Sequence, residues 1–512
     1  MSGGAGAPAR EAGAPIRCSV AHIAEQEAPQ PLDEKPELTF RRYAIAFHLA
    51  ATWCGEDKPV LRGETRFERA MESYEDDMLL YAHRDEAPFL TRVVPTEIEA
   101  VTVGFSPELT YEAEGRRKRL RCAGATEAGR TRKFGVALGQ TWFERSELAI
   151  LSLVLTPLEP PVEDSLLNEY DVIKLVKLWE GGEGVAEGAS SIAEDRDVQF
   201  GTPQGQRATL HHLAAMAFPG WQQLGYEEAG CDEDLVTTAR SGYRVGTVEL
   251  ELPPSEWRQE LFHDMATLKR RREAPNSDRR RRDRAVAVGG ILQGLLDFRQ
   301  IEDDELADVF ADVEVDPKDE AMRAFHKGTL LSLSAEADPE GEDEERPSPI
   351  GVDPYLAVPN IVLLHDEQRL KTARLRERNL SIRQRGPLRG SPRRAAIDET
   401  ENGLSAMAGL LAQHLPNVFH YSSERRLQKR GRQSRGVDDL ETFMRLRMDD
   451  LSSVLQTRVR RRDRWTAVLG IAVGVVTAFL VQQAIEGRPL WLIVLAGAVL
   501  FGVFLKVRDW IF

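Results

Sequence analysis

Residues 465–485 read WTAVLGIAVGVVTAFLVQQAI, 21 residues without a charged side chain. As a helix such a run extends about 31 Å, close to the roughly 30 Å hydrocarbon thickness of a bilayer. Residues 486–489 (EGRP) interrupt it with turn formers, and residues 490–505 (LWLIVLAGAVLFGVFL) form a second uncharged run ending at Lys506. The pair reads as a two-helix transmembrane hairpin: helix one at 465–485, an outer loop at 486–489, helix two at 490–507 and a short tail at 508–512. Arg458, Arg460, Arg461, Arg462 and Arg464 precede the first run, Lys506 and Arg508 follow the second, and only Arg488 lies between. That bias predicts a multi-pass protein of the inner membrane with both termini cytoplasmic, Arg460–Arg462, Arg464, Lys506 and Arg508 forming a basic ring on that side. Trp465, Trp491 and Trp510 fall near the expected interfaces.

Upstream of this run, Leu440, Met444, Met448, Leu451, Leu455 and Val459 recur at steps of three or four. They mark one apolar stripe of a helix that enters residue 465 without a Gly or Pro. A continuous helix of about 45 residues, about 68 Å long, is expected, and its stripe calls for neighbours arranged about an axis. Within the apolar run Gly470, Gly474 and Ala478 repeat every four residues, so these and Thr477 are the candidate helix-packing or pore-lining positions. Two helices cannot enclose a water-filled path, so conduction requires a homo-oligomer.

Away from this end the composition is that of a water-exposed, folded protein: mean hydropathy is −0.37, net charge −15 and hydrophobic content 42% over 512 residues. Residues 1–37, rich in Gly, Ala, Pro and Glu, read as a flexible tail without a cleavable signal. Apolar runs at 43–51, 98–105 and 148–155 read as strands. At 168–179, Val172, Leu175, Val176 and Trp179 share a helical face. Residues 38–331 are therefore expected to be a cytoplasmic α/β or α+β domain, 332–352 an acidic Pro-containing linker, and 353–464 a helical region ending in the stalk.

Chemistry-bearing motifs are sparse. Four cysteines without a CxxC pair suggest neither a disulfide framework nor a thiolate zinc site. The ten histidines have no metal-ligand spacing, and Gly181-Gly182-Glu183-Gly184 lacks the Lys-Ser/Thr of a phosphate-binding loop. The basic clusters at 269–272 and 279–284 and the acidic ones at 302–320 and 336–345 read as solvated faces and loops, without the interleaved aromatics of a single-strand nucleic-acid platform. Neither an enzyme, a cofactor nor a nucleic-acid partner is expected.

A large cytoplasmic α/β domain, a long stalk continuous with the first apolar run, a short outer loop, a second run and the closing Phe504-Leu505-Lys506-Val507-Arg508-Asp509-Trp510-Ile511 together resemble the CorA family of divalent-cation channels. The resemblance covers about residues 353–512 and implies a homopentamer, a lipid bilayer as partner, and a divalent cation such as magnesium at the pore. The family carries Gly-Met-Asn at the outer end of its first span, where this chain has Gln482-Gln483-Ala484-Ile485-Glu486. Gln482, Gln483 and Glu486 are the candidate outer pore mouth, because amide and carboxylate oxygens suit a hydrated cation. The expected function is an oligomeric cation channel or transporter gated by its cytoplasmic domain. The alternatives are a membrane effector of a prokaryotic defence system that senses a cytoplasmic ligand, and a membrane-tethered binding protein without a pore.

Overall fold

The alternation of residues 42–53, RYAIAFHLAATW, shows how the central sheet is built. Tyr43, Ile45, Phe47 and Leu49 pack into one core, while Ala44, Ala46 and Ala50 pack into a second core on the opposite face. A strand buried on both faces needs a layer above and a layer below. Large side chains on one side and small ones on the other set how closely each layer approaches.

The computed structural model describes residues 30–31, 37–53, 90–94, 100–105, 108–113, 116–121, 130–143, 146, 148–158, 166–180, 198–201, 207–208, 210–224, 244–271, 279–294, 298, 302–326, 328–335, 354–385, 393–412 and 422–485, with residues 491, 498, 499 and 502 beyond. The strands are β1 (Gln30–Pro31), β2 (Thr39–Phe40), β3 (Arg42–Trp53), β4 (Leu90–Val94), β5 (Ala100–Phe105), β6 (Glu108–Ala113), β7 (Arg116–Arg121), β8 (Arg130–Phe143) and β9 (Leu148–Thr156). There follow β10 (Leu167–Asn168), β11 (Val198–Gly201), β12 (Arg207–Ala208), β13 (Trp221–Gln223), β14 (Arg244–Leu252), β15 (Glu314–Asp316), β16 (Ala321–His326) and β17 (Thr329–Ala335). The helices are α1 (Glu169–Glu180), α2 (Leu210–Ala217), α3 (Arg258–Arg271), α4 (Arg279–Gln293), α5 (Asp303–Ala311), α6 (Pro354–Arg385), α7 (Arg393–Ala412), α8 (Ser422–Ser434) and α9 (Val437–Ile485).

Twelve strands form one sheet in the order β12-β11-β5-β8-β9-β3-β14-β17-β16-β15, with β4 joined to β8 and β13 to β3. Its described ladders are antiparallel except β14 with β17, which run parallel across a crossover containing α3, α4, α5, β15 and β16. Helices α1 to α5 pack on the face of Phe47 and Leu153, and α6 to α9 on the face of Ala46 and Val154. The result is a three-layer α/β/α body. The helical region from residue 354 shares the sheet's second core with the strands before it.

Local chemistry explains several element ends. Asn168 accepts the amide N–H of Asp171 at 3.0 Å, capping α1. Glu169 then accepts the amides of Glu37 and Leu38 at 2.8 and 3.0 Å, fastening β2 beside β10. Burial pushes this carboxyl up to about 7, against the lowering effect of those amides. Gly436, at φ +64, turns the chain between α8 and α9 in a conformation that favours glycine.

The long helix is present as α9, 49 residues and about 74 Å from end to end. The transmembrane hairpin is not. Among the described residues no helix is long and apolar enough to cross a membrane, and no second helix is defined after α9. Residues 465–485 continue α9 from its charged, amphipathic first half, as the unbroken stripe predicts. The expected return leg at 490–507 falls almost wholly outside the described residues.

Candidate functional site

The chemistry concentrates where α6 meets α8 and α9. Residues 357–370 of α6 are buried on every side, between the sheet and the outer helices, yet include Asp366, Glu367 and Arg369. A charge in such a place needs a partner and hydrogen bonds. Each of the three has them.

Asp366, whose side chain is 0% exposed, receives Arg432 Nη1 of α8 at 2.5 Å. The other edges of the Arg432 guanidinium go to α9, Nε donating to Asp438 at 2.6 Å and Nη2 to Glu441. One side chain thus ties three helices. Glu367 is bound at 2.6 Å by Arg435 from the α8–α9 turn and by Lys371 one turn along α6. Arg369 points toward α7, its Nη1 donating to the carbonyls of Leu410 and Leu411 at 2.7 and 2.9 Å, the unpaired acceptors at that helix's C-terminal end. Further along, Arg447 of α9 binds Glu377 of α6 at 2.7 Å.

Electrostatics match this geometry. Burial alone would raise Glu367, but Arg435 and Lys371 outweigh it and hold the carboxyl below its usual range. Burial likewise opposes Glu441, which Arg445 and Arg432 bring down. Burial would lower Arg432, yet Asp366, Asp438 and Glu441 raise it. Packing lets the groups meet: a Cβ at Gly431 would lie 2.9 Å from Leu363 and Phe325, so α8 sits against α6 only with glycine there.

A second polar array locks α6 to the sheet. His48 of β3 hydrogen-bonds through Nδ1 to Ser152 Oγ at 2.8 Å and through Nε2 to Thr247 Oγ1 at 3.0 Å. Asn360 of α6 donates to Thr247 Oγ1 at 2.9 Å and to the Gly246 carbonyl at 2.7 Å. All four side chains are buried, and burial pushes His48 down to about 3, so the ring is neutral. One turn further, His365 stacks on Phe143 at 4.0 Å and meets Ser146 Oγ at 2.9 Å. It too is pushed down to about 3, by burial and then by Arg369. The Ser152–His48 pair is sealed from solvent, which suits a fixed register between helix and sheet rather than nucleophilic chemistry.

Of the residues singled out from the sequence, the described ones lie along α9. Gly470, Gly474, Thr477 and Ala478 lie along α9; a Cβ at either glycine meets nothing within 4 Å, and Thr477 Oγ1 bonds back to Val473 O. Gln482 is exposed on α9 and Glu486 lies outside the described residues. Arg460 and Arg464 are exposed on α9, and of Arg461, Arg462 and Gln483 only the helical backbone is described. Lys506 and Arg508 lie outside the described residues. Among the described residues no group of three or more His, Cys, Asp or Glu side chains is arranged to hold a metal ion. The basic cluster on α4 is engaged within the fold: Arg281 binds Asp264 through two nitrogens, Arg282 binds Asp303 at 2.7 Å, and Arg284 lies 4.2 Å over Trp257.

The junction was missed because its partners are distant in sequence, Asp366 and Arg432 lying 66 positions apart. A signal was available: Asp366, Glu367 and Arg369 closely follow the apolar run 361–364 in a helical stretch.

Comparison of the chain with protein-family models, with curated proteins and with solved structures finds no match.

Proposed function

We propose that the chain is one subunit of an oligomeric membrane assembly that passes ions, its α/β body setting the position of α9 through the Asp366–Arg432–Glu441 junction. The observation that carries this reading is the contrast between the junction and the far end of α9. Past residue 465 the described side chains of the helix are mostly apolar and exposed, with Ile471 68%, Val475 65%, Phe479 58% and Ile485 80% exposed. An exposed apolar helical surface of this extent is stable only against other apolar matter, lipid or protein. A lipid bilayer together with neighbouring copies supplies both. Divalent cations are the cargo that the likeness to CorA channels suggests, with Gln482 the described member of the proposed mouth.

A second reading is a membrane effector that opens only when the body receives a signal. Gln482-Gln483-Ala484-Ile485-Glu486 in place of Gly-Met-Asn favours it over constitutive magnesium uptake. Reconstitution of the full chain into lipid vesicles tests both readings. Co-flotation with vesicles, a multi-chain native mass and cation flux support the first. Flux that begins only after a cytoplasmic extract is added supports the second. A single-chain mass without flotation overturns both.

A further inference from the structure

We infer that the β15 edge of the sheet carries a site for a phosphate group, built from Lys269 and Arg270 of α3 and Arg426 and Arg430 of α8. The two helices belong to opposite layers, α3 packing into the first core through Met265 and Leu268 and α8 into the second through Leu427. They come together around β15, the outermost strand of the sheet. Lys269 Nζ donates to the Val313 carbonyl at 2.5 Å, just ahead of that strand, and Arg426 Nε donates to Glu314 within it at 2.8 Å. Arg430 follows Arg426 one turn along α8 and lies near enough to Lys269 to act on its charge.

Two like charges are thus held close, and one of them lacks an acceptor. Nη1 of Arg430 is buried and has no hydrogen-bond partner among the described residues. A buried guanidinium N–H in that condition is costly until an acceptor reaches it. Burial, and then the Arg430 charge, push Lys269 below its ordinary value; Glu314 and Asp312 act against them, and Arg270 adds to them. Arg426 already occupies Glu314. Four cations, Lys269, Arg270, Arg426 and Arg430, against two carboxylates, Asp312 and Glu314, leave two positive charges, the complement of a phosphate dianion. A guanidinium supplies a fork of donors and an ammonium a compact charge, a pairing suited to phosphate oxygens. The cations of α4 differ in this respect, because Arg281 and Arg282 are already bound to Asp264 and Asp303. A phosphate held at β15 ties the α1–α5 layer to α8, whose Arg432 grips α9. The site stands whether or not the chain passes ions.

Isothermal titration calorimetry of the full-length chain in detergent, at fixed ionic strength, tests the site. Inorganic phosphate is the probe in one arm and dihexanoyl phosphatidylglycerol in the other, which separates a soluble phosphate from a lipid headgroup. The parent is expected to bind in at least one arm, and Arg430→Met and Lys269→Met should each weaken that binding at least about tenfold. Arg279→Gln, at the exposed start of α4, should bind as the parent does. Without either probe, the melting temperature of Arg430→Met should equal or exceed the parent's, because the change removes a buried N–H without an acceptor and relieves Lys269. Absence of binding in both arms, or equal affinity in the parent, Arg430→Met and Lys269→Met, would overturn the site. A lower melting temperature for Arg430→Met without probe would also overturn it, by showing that the fold itself holds this guanidinium.

Discussion

The two halves of α9 share a backbone and differ in almost everything else. Over residues 437–457 one apolar stripe is buried by the helices α6 and α7, and the charged side chains Asp438, Glu441 and Arg447 reach into α6 and α8. Over 465–485 the sequence has no charged residue, and among the described side chains Val468, Ile471, Val473, Val475, Phe479, Val481 and Ile485 are exposed. The halves differ in sequence, the first charged and amphipathic and the second uncharged, so each calls for different surroundings. The first half is packed by this chain, and the proposed function assigns lipid or other copies to the second.

The largest expected effect comes from breaking the grip on the first half. Arg432→Met leaves buried Asp366 with only Arg369, at 3.3 Å, as its cationic partner, a loss of about 2–4 kcal/mol. Denaturant unfolding of the full chain measures it, and a loss below about 1 kcal/mol would mean that Arg432 does not bind the three helices together.

Replacing Asn360 by Leu removes its two hydrogen bonds to Thr247 and the Gly246 carbonyl, leaving Thr247 with His48 alone, a loss of about 1–3 kcal/mol in the same assay. This is the link between sheet and α6, so its effect should fall on the body and leave vesicle flotation unchanged.

Acid is expected to loosen the body by a calculable sign. His48 and His365, held near 3, and His211, held near 4, take up a proton in the unfolded chain at about 6.5 but not in the folded one. Their stabilisation is complete above about 6.5 and is lost as pH falls toward those lower values, with a slope of about 1.4 kcal/mol per pH unit for each group. Glu169, raised to about 7 by burial, acts in the opposite sense: its contribution is present below its ordinary 4.5 and is lost as pH rises through 7. Three groups against one leave net destabilisation below pH 6, and His48→Gln should flatten that slope. An unchanged slope would mean that His48 is not neutral and enclosed in the folded chain.

The smallest effect on the body is expected from the second half of α9. Ile471→Ser with Val475→Ser should shift body unfolding by no more than about 0.5 kcal/mol, because neither side chain touches the core, while reducing flotation with vesicles. A large loss of body stability would show that the second half is held by this chain after all.

Much of this architecture was legible in the sequence. Strand runs at 43–51 and 148–155 lie inside β3 and β9, and the stripe from Leu440 to Leu455 marks the buried face of α9, because burial on one or both faces imposes a period that a single segment displays. The hairpin expectation failed where a local rule was asked for a tertiary answer. The 21-residue uncharged run continues the stalk as expected, but among the described residues no helix is long and apolar enough to cross a membrane and no return helix is defined. The junction was illegible for the opposite reason: Asp366 and Glu367 resemble surface charges until their partners at 432 and 435 arrive through the fold. His48 was equally silent, since its hydroxyl partners come from β9 and β14, on two different neighbouring strands.

Hydrogen exchange along α9 of the full-length chain, measured with and without lipid vesicles, tests the contrast most directly. The account predicts strong protection of residues 437–457 in both conditions and protection of 465–485 only with vesicles. Equal protection of 465–485 in the absence of lipid, for a chain whose native mass is that of one copy, would contradict it.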